Sequence, residues 1–143
     1  MKKTVKDSIG YLTARASYAL ASQVYRNFQK QEIDLPHAQF IILRHLYEND
    51  GMTQQEMADS LFKDKAAIKR TVESLMLRGY VSRVKKGKTF KIFLTASAKK
   101  IKGTVQKIAD ATIRQSLKGV DAAEYEICLD VLKKITENLK TAG

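Results

Sequence analysis

The chemistry this sequence offers lies in its ammonium and guanidinium groups. Of 143 residues, 26 are Lys or Arg and 15 are Asp or Glu, and the excess is sorted into one place. The stretch 63–107 holds 14 basic residues against Asp64 and Glu73, a net of +12, while the rest of the chain comes to −1. Cations gathered in this way bind polyanions, because each phosphate they neutralise releases condensed counterions. Lysines kept for solubility alone need no such removal of acids from one third of a chain. From Arg83 to Lys91, five of nine residues are basic and none is acidic.

Other reactive groups are sparse. His37 and His45 stand eight apart, two helical turns and roughly one face, but no Cys, His or acid set nearby completes a metal site, so both read as packing or surface residues. Cys128 is the one cysteine; it excludes an internal disulfide or a zinc-finger ligand set, fits a reducing compartment and reads as a small buried hydrophobe. There is no Gly-rich phosphate loop and no Ser/His/Asp or paired-acid arrangement suited to catalysis. The expectation is a non-enzyme without cofactor or metal. No run approaches 18 apolar residues and the basic start lacks a signal-peptide core, which predicts a soluble, cytoplasmic protein. Its 44% hydrophobic content and length suit one compact domain with helical extensions.

The elements that must position these groups are legible from spacing. Val5, Ile9, Leu12, Ala16, Leu20, Val24 and Phe28 recur at three and four, predicting an amphipathic helix from Val5 to Phe28. At ~36 Å it is longer than a small core needs, so part of its face is predicted to meet another subunit. Tyr11, Tyr18 and Tyr25 form a second stripe, either packing or the wall of an aromatic-ligand pocket. A second helix starts near Pro36 and carries Phe40, Leu43, Leu46 and Tyr47 to Asn49-Asp50-Gly51.

Thr53-Gln54-Gln55-Glu56 is a capping box, flanked by Met52 and Met57 as a hydrophobic staple. The helix it opens turns Ala58, Leu61 and Phe62 inward. Lys63-Asp64 interrupts it, and Asp64 caps a new helix whose Ile68, Val72, Leu75 and Met76 share an apolar face while Lys65, Lys69, Arg70 and Glu73 point elsewhere; Gly79 ends it. That is the outline of a helix-turn-helix.

Tyr80–Lys85 and Phe90–Thr95 then read as a β-hairpin, with Phe90, Ile92 and Leu94 alternating toward the core. Thr95 or Ser97 caps a further helix through Ile101, Val105, Ile108 and Leu117, closed at Lys118-Gly119. Asp121-Ala122-Ala123-Glu124 is a second capping box, and the last helix carries Tyr125, Cys128, Leu129, Leu132, Ile135 and Leu139 as a pairing seam.

This order of elements resembles the MarR family of winged-helix transcriptional regulators over nearly the whole chain. The resemblance is most specific at Leu35-Pro36-His37-Ala38-Gln39-Phe40, Met52-Thr53-Gln54-Gln55-Glu56-Met57-Ala58 and the stretch from Asp64 to Leu75, ending in Arg78-Gly79-Tyr80-Val81-Ser82-Arg83 and Leu94-Thr95. It implies a mostly α fold with a small β-hairpin wing (α+β). A winged helix-turn-helix at 35–96 would be flanked by dimerisation helices at 1–34 and 97–143, in a homodimer that binds a double-stranded DNA operator.

Carried over residue by residue, the resemblance places Lys65, Ala66, Ala67, Lys69 and Arg70 in the major groove. Thr53, Gln54 and Gln55 would meet phosphate at a helix start, and Arg83, Lys86 and Lys88 would lie on the wing. Where the family usually carries hydroxyl residues after the capping acid, this chain has Ala66 and Ala67, which offer contact to a thymine methyl. The usual acid and arginine pair of the wing is replaced by a shorter lysine-rich hairpin. Many relatives hold a small aromatic effector between dimerisation helices and winged helix, for which Tyr11, Tyr18, His37, His45 and Tyr47 are the candidates by location. The thiol-sensing branch carries its cysteine in the first helix, and this chain has none there. The functional expectation is a ligand-responsive repressor on a pseudo-palindromic operator; the alternative is a winged helix that docks structured RNA or a protein. Exposed aromatics for base stacking are not expected in the basic stretch, since Phe90 and Phe93 are taken up in the packing of the hairpin.

Overall fold

A computed structural model describes residues 3–61 and 63–140. A short 3-10 turn at Val5–Asp7 precedes α1 (Ile9–Lys30), α2 (His37–Glu48), β1 (Met52–Thr53), α3 (Gln54–Leu61), α4 (Lys65–Leu77), β2 (Val81–Lys86), β3 (Thr89–Leu94), α5 (Ala96–Ser116) and α6 (Ala122–Asn138). This is the mostly helical architecture with a helix-turn-helix and a β-hairpin wing that the resemblance implies. Its core joins α1 to α5 and the sheet: Phe28 of α1, Leu43 and Leu46 of α2, Met57 of α3, Ile68, Val72 and Leu75 of α4, Ile92 of β3 and Val105 of α5 are all buried in one cluster. Among the described residues no helix is long and apolar enough to cross a membrane.

Local chemistry fixes the boundaries. The Thr53 box closes, with the Glu56 amide donating to Thr53 Oγ1 (3.1 Å) and the Thr53 amide to Glu56 Oε1 (3.4 Å). Asp64 Oδ1 accepts from the Ala67 amide at 2.7 Å and so caps α4. Beyond Leu77 the Tyr80 amide returns to the Leu75 carbonyl (3.0 Å) over Gly79, whose φ of +76° suits a residue without Cβ. Thr95 caps α5 by accepting from the Ala98 amide.

Some expectations need correction. The first helix begins at Ile9 and not at Val5, because Ser8 caps it through the Tyr11 amide (3.3 Å) while the Thr4 amide bonds Asp7 Oδ2 (2.9 Å) and closes a separate turn. An unforeseen strand, β1, pairs Met52 with Ile92 and Thr53 with Lys91, making a three-stranded sheet in the order β1-β3-β2. Two residues are too few to show an alternation in sequence. Between α2 and β1, Gly51 has φ +82°, and a Cβ there would stand 2.8 Å from Phe93 Cε1. Only glycine fits that approach without displacement.

Phe90 is not turned into the core; it is 48% exposed, since β1 reaches only Ile92 and Lys91 and nothing covers the hairpin beyond them. Asp121 precedes α6 without any side-chain capping bond, so the second box does not form. The α6 seam is also uncovered within the chain: none of its residues is buried and Cys128 is exposed. Of the tyrosine stripe, Tyr18 is 72% exposed, and the Tyr25 hydroxyl donates to Asp34 Oδ1 (3.1 Å), a bond that holds its pKa above the ordinary value. Phe62, expected to face inward, lies outside the described residues.

Candidate nucleic-acid interface

The first turns of α3 and α4 present different chemistry. Thr53 and Gln54 at the start of α3 are half-buried, and Gln55 is exposed with its Nε2 donating to Asp59 Oδ1 (2.7 Å). On α4, the burial of Ile68, Val72 and Leu75 fixes which way the helix faces. Lys65, Ala66, Lys69 and Arg70 are exposed in consequence, and Ala67 is half-buried on the flank. Thr71 and Ser74 return their hydroxyls to the carbonyls of Ala67 and Arg70, so neither offers a free donor to a partner.

The wing follows from a two-residue turn. Lys86 pairs with Thr89 across Gly87-Lys88, with Gly87 at φ +63° as a tight hairpin requires. Lys85, Lys86 and Lys88 are exposed; Arg83 is half-buried and donates from Nη1 to Gln54 Oε1 at 3.3 Å. That bond ties the base of the wing to the start of α3. Among the described residues the ion pairs are Lys134–Asp130 and Lys140–Glu137, both near the C-terminal end, so no carboxylate pairs with a cation of the stretch 63–107. Of the eleven residues expected at the interface, the structure joins Gln54 directly to Arg83. The five on α4 and the two lysines at the wing tip are separate groups, four and two of them respectively exposed.

The five pocket candidates are not brought together. A cleft of about 1190 Å³ between α1, α5 and α6 is lined by Tyr18, with Arg15, Arg26 and Arg44; a smaller cavity of about 190 Å³ is lined by His37 with Phe40, Ile41 and Arg44. Tyr11 lies in neither. His45 Nδ1 stands 2.9 Å from its own helix carbonyl at Ile41, and the Tyr47 hydroxyl donates to the Ala98 carbonyl (2.7 Å), its pKa pushed up to about 12 by burial. Among the described residues no His, Cys, Asp and Glu cluster could hold a metal ion.

Burial, and then the charge of Lys63, hold the His37 imidazole below its ordinary pKa. The native state therefore binds fewer protons than the unfolded chain just below pH 6.5, and His37 lowers stability as pH falls through that range. His37→Gln is expected to flatten the acid side of a stability profile, read from denaturant midpoints between pH 7 and pH 5; an unaltered slope would show that the ring is solvated.

Spacing assigned Phe90 to the core side of the hairpin and gave Lys85 no place on the wing surface, where both are exposed. The signal was available in the register of a two-residue hairpin, which leaves residues near the tip beyond any covering layer.

Residues 33–88 match the model of the MarR family. The chain is 23% identical over 117 residues to an HTH-type transcriptional regulator, YybA, of Bacillus subtilis (strain 168), covering 80% of this chain and 78% of that one. Its structure is similar to a MarR family regulator from Listeria monocytogenes in complex with 26mer DNA, with TM-score 0.80, 25% identity and coverage of 97% and 90%. It also shares the fold of CouR from Rhodococcus jostii bound to p-coumaroyl-CoA, with TM-score 0.83, 21% identity and coverage of 94% and 95%.

Proposed function

Because this chain belongs to the MarR family of transcriptional regulators, we propose that it is a homodimeric, ligand-responsive repressor that reads a pseudo-palindromic DNA operator. The observation that carries this reading is the run of exposed cations on α4 and the wing, without carboxylate partners among the described residues, while the wing base is bonded to the start of α3. The complex of the Listeria monocytogenes relative with DNA supports the same reading.

In it, Lys65, Ala66, Ala67, Lys69 and Arg70 enter the major groove; Thr53, Gln54 and Gln55 meet phosphate at the positive end of α3; and Lys86 and Lys88 follow the backbone, with Arg83 at the base of the wing. Residues 35–96 form the reading unit and the flanking helices the dimer scaffold. The uncovered apolar side chains Ile9, Leu12, Ile127 and Val131 support a partner there. Two copies would set their α4 helices in successive major grooves ~34–36 Å apart.

The cleft between α1, α5 and α6, mostly apolar with Leu20, Leu129 and Leu132 beside Arg15, Arg26 and Arg44, is the proposed effector site. A ligand there acts by the difference in its affinity for the two spacings of the dimer.

The direct test is a mobility shift with duplex DNA and hairpin RNA at matched salt. Duplex DNA is expected to bind; a preference for RNA overturns the reading. Within the DNA complex, Lys88→Ala is expected to weaken all sequences alike and to lower the slope of log affinity against log salt by about one unit, the share of one phosphate contact. An unchanged slope removes Lys88 from the interface.

A further inference from the structure

Near the cationic tip of the hairpin, Phe90 is large, apolar and 48% exposed, more so than Val84 at 38%. Single exposed hydrophobes are ordinary, so exposure alone assigns nothing. What distinguishes Phe90 is how it is held. In the antiparallel register it stands opposite Lys85, and Arg83 stands opposite Ile92, so Phe90, Lys85, Arg83 and Ile92 share one side of the hairpin. Ile92 is fully buried, while the same side continues past the edge of the core as Arg83 and then Phe90. The Arg83 guanidinium carbon lies 5.7 Å from the Phe90 ring centroid, and the same guanidinium donates to Gln54 Oε1 at 3.3 Å. The ring is thereby fixed, through one arginine, to the first residue of α3.

The half-buried Arg83 guanidinium lies between the Phe90 ring and the Gln54 side chain, so its orientation and that of the ring are set together. The ring it supports offers no donor, but it can lose apolar surface against the C–H wall that deoxyribose presents between phosphates. Lys86 and Lys88 at the tip would hold those phosphates on either side.

We propose that Phe90 is the wing residue that makes apolar contact with the deoxyribose of duplex DNA, and that Arg83 is a positioning residue that aims it from the start of α3. This rests on the reading of the wing as part of a DNA interface.

The chain contains no tryptophan, so Phe90→Trp places a unique fluorophore at the contact. The probe is a duplex enriched by the wild-type protein from a randomised DNA pool. Its titration is expected to quench and blue-shift the indole with the same midpoint as the mobility shift, and to protect it from iodide. Phe90→Ala is expected to lower affinity about tenfold, the scale of a partly buried phenylalanine, with the salt slope unchanged. Phe90→Leu, which keeps apolar bulk, should lose less.

Adding Arg83→Ala to Phe90→Trp should lower the anisotropy of the indole in the free protein and weaken DNA binding without changing the salt slope. A drop of about one unit in that slope makes Arg83 a phosphate contact and overturns its positioning role. Emission that does not move while the duplex binds, or wild-type affinity in Phe90→Ala, overturns the Phe90 contact and leaves the DNA reading standing. Failure of the wild-type protein to enrich or bind any duplex overturns the DNA reading itself.

Discussion

Ala66→Glu is expected to abolish operator binding while leaving fold and assembly intact. Ala66 is exposed in the first turn of α4, one turn before Arg70 on the outward side. Its side chain is exposed, so glutamate there can extend into solvent. The new carboxylate would face phosphates and the acceptor-rich edges of purines, and a like-charge juxtaposition in such an interface costs several kcal/mol, on the order of a 100-fold loss or more. Size-exclusion elution and circular dichroism should match the wild type. Ala66→Ser is the informative companion, since a hydroxyl at this position should retain binding and relax any preference for a thymine methyl. A footprint that survives Ala66→Glu would place the reading face elsewhere on the molecule.

Phe28→Ala carries the largest expected effect on stability. Phe28 is fully buried near the end of α1, and its ring centroid lies 5.2 Å from that of Phe40 in α2, so this pair joins the first helix to the winged helix. Truncating a buried phenylalanine costs about 3–5 kcal/mol from lost transfer free energy and the cavity left behind. Against a total stability of about 5–15 kcal/mol, that is a large fraction. Denaturant midpoints at one fixed chain concentration should show it, with an unchanged m-value if unfolding stays two-state. A loss below about 1 kcal/mol would mean that the seam between α1 and α2 closes around the gap.

Much of the architecture was legible because local chemistry and global packing agree here. Thr53 and Asp64 announce their helices with side chains that find the expected amides. The three-and-four spacing of Ile68, Val72 and Leu75 identifies the buried face of α4, and through it the exposed cations.

What escaped the sequence depends on neighbours that periodicity does not contain. Ser8 interrupts an apolar stripe that continues past it, and β1 exists because Met52 and Thr53 find Ile92 and Lys91 about forty residues on. Asp121 has the composition of a cap without the bond. Phe90 alternates correctly with Ile92, yet lies past the last residue that the sheet can cover, and Cys128 sits on a seam that a single chain leaves open. For the site, residue types and charge were readable. The bond from Arg83 to Gln54, which settles where the base of the wing stands, was not, because it spans 29 residues of intervening fold.

Thr53 holds two offices at once: it pairs with Lys91 in the sheet and accepts the Glu56 amide as the cap of α3. The wing and the helix-turn-helix therefore share a residue, and neither can be re-aimed without breaking a ladder bond or unwinding a helix start. If this unit reads DNA as proposed, accommodation to duplexes of differing width or curvature has to come from the duplex bending to meet it, or from swivelling at the helices outside it.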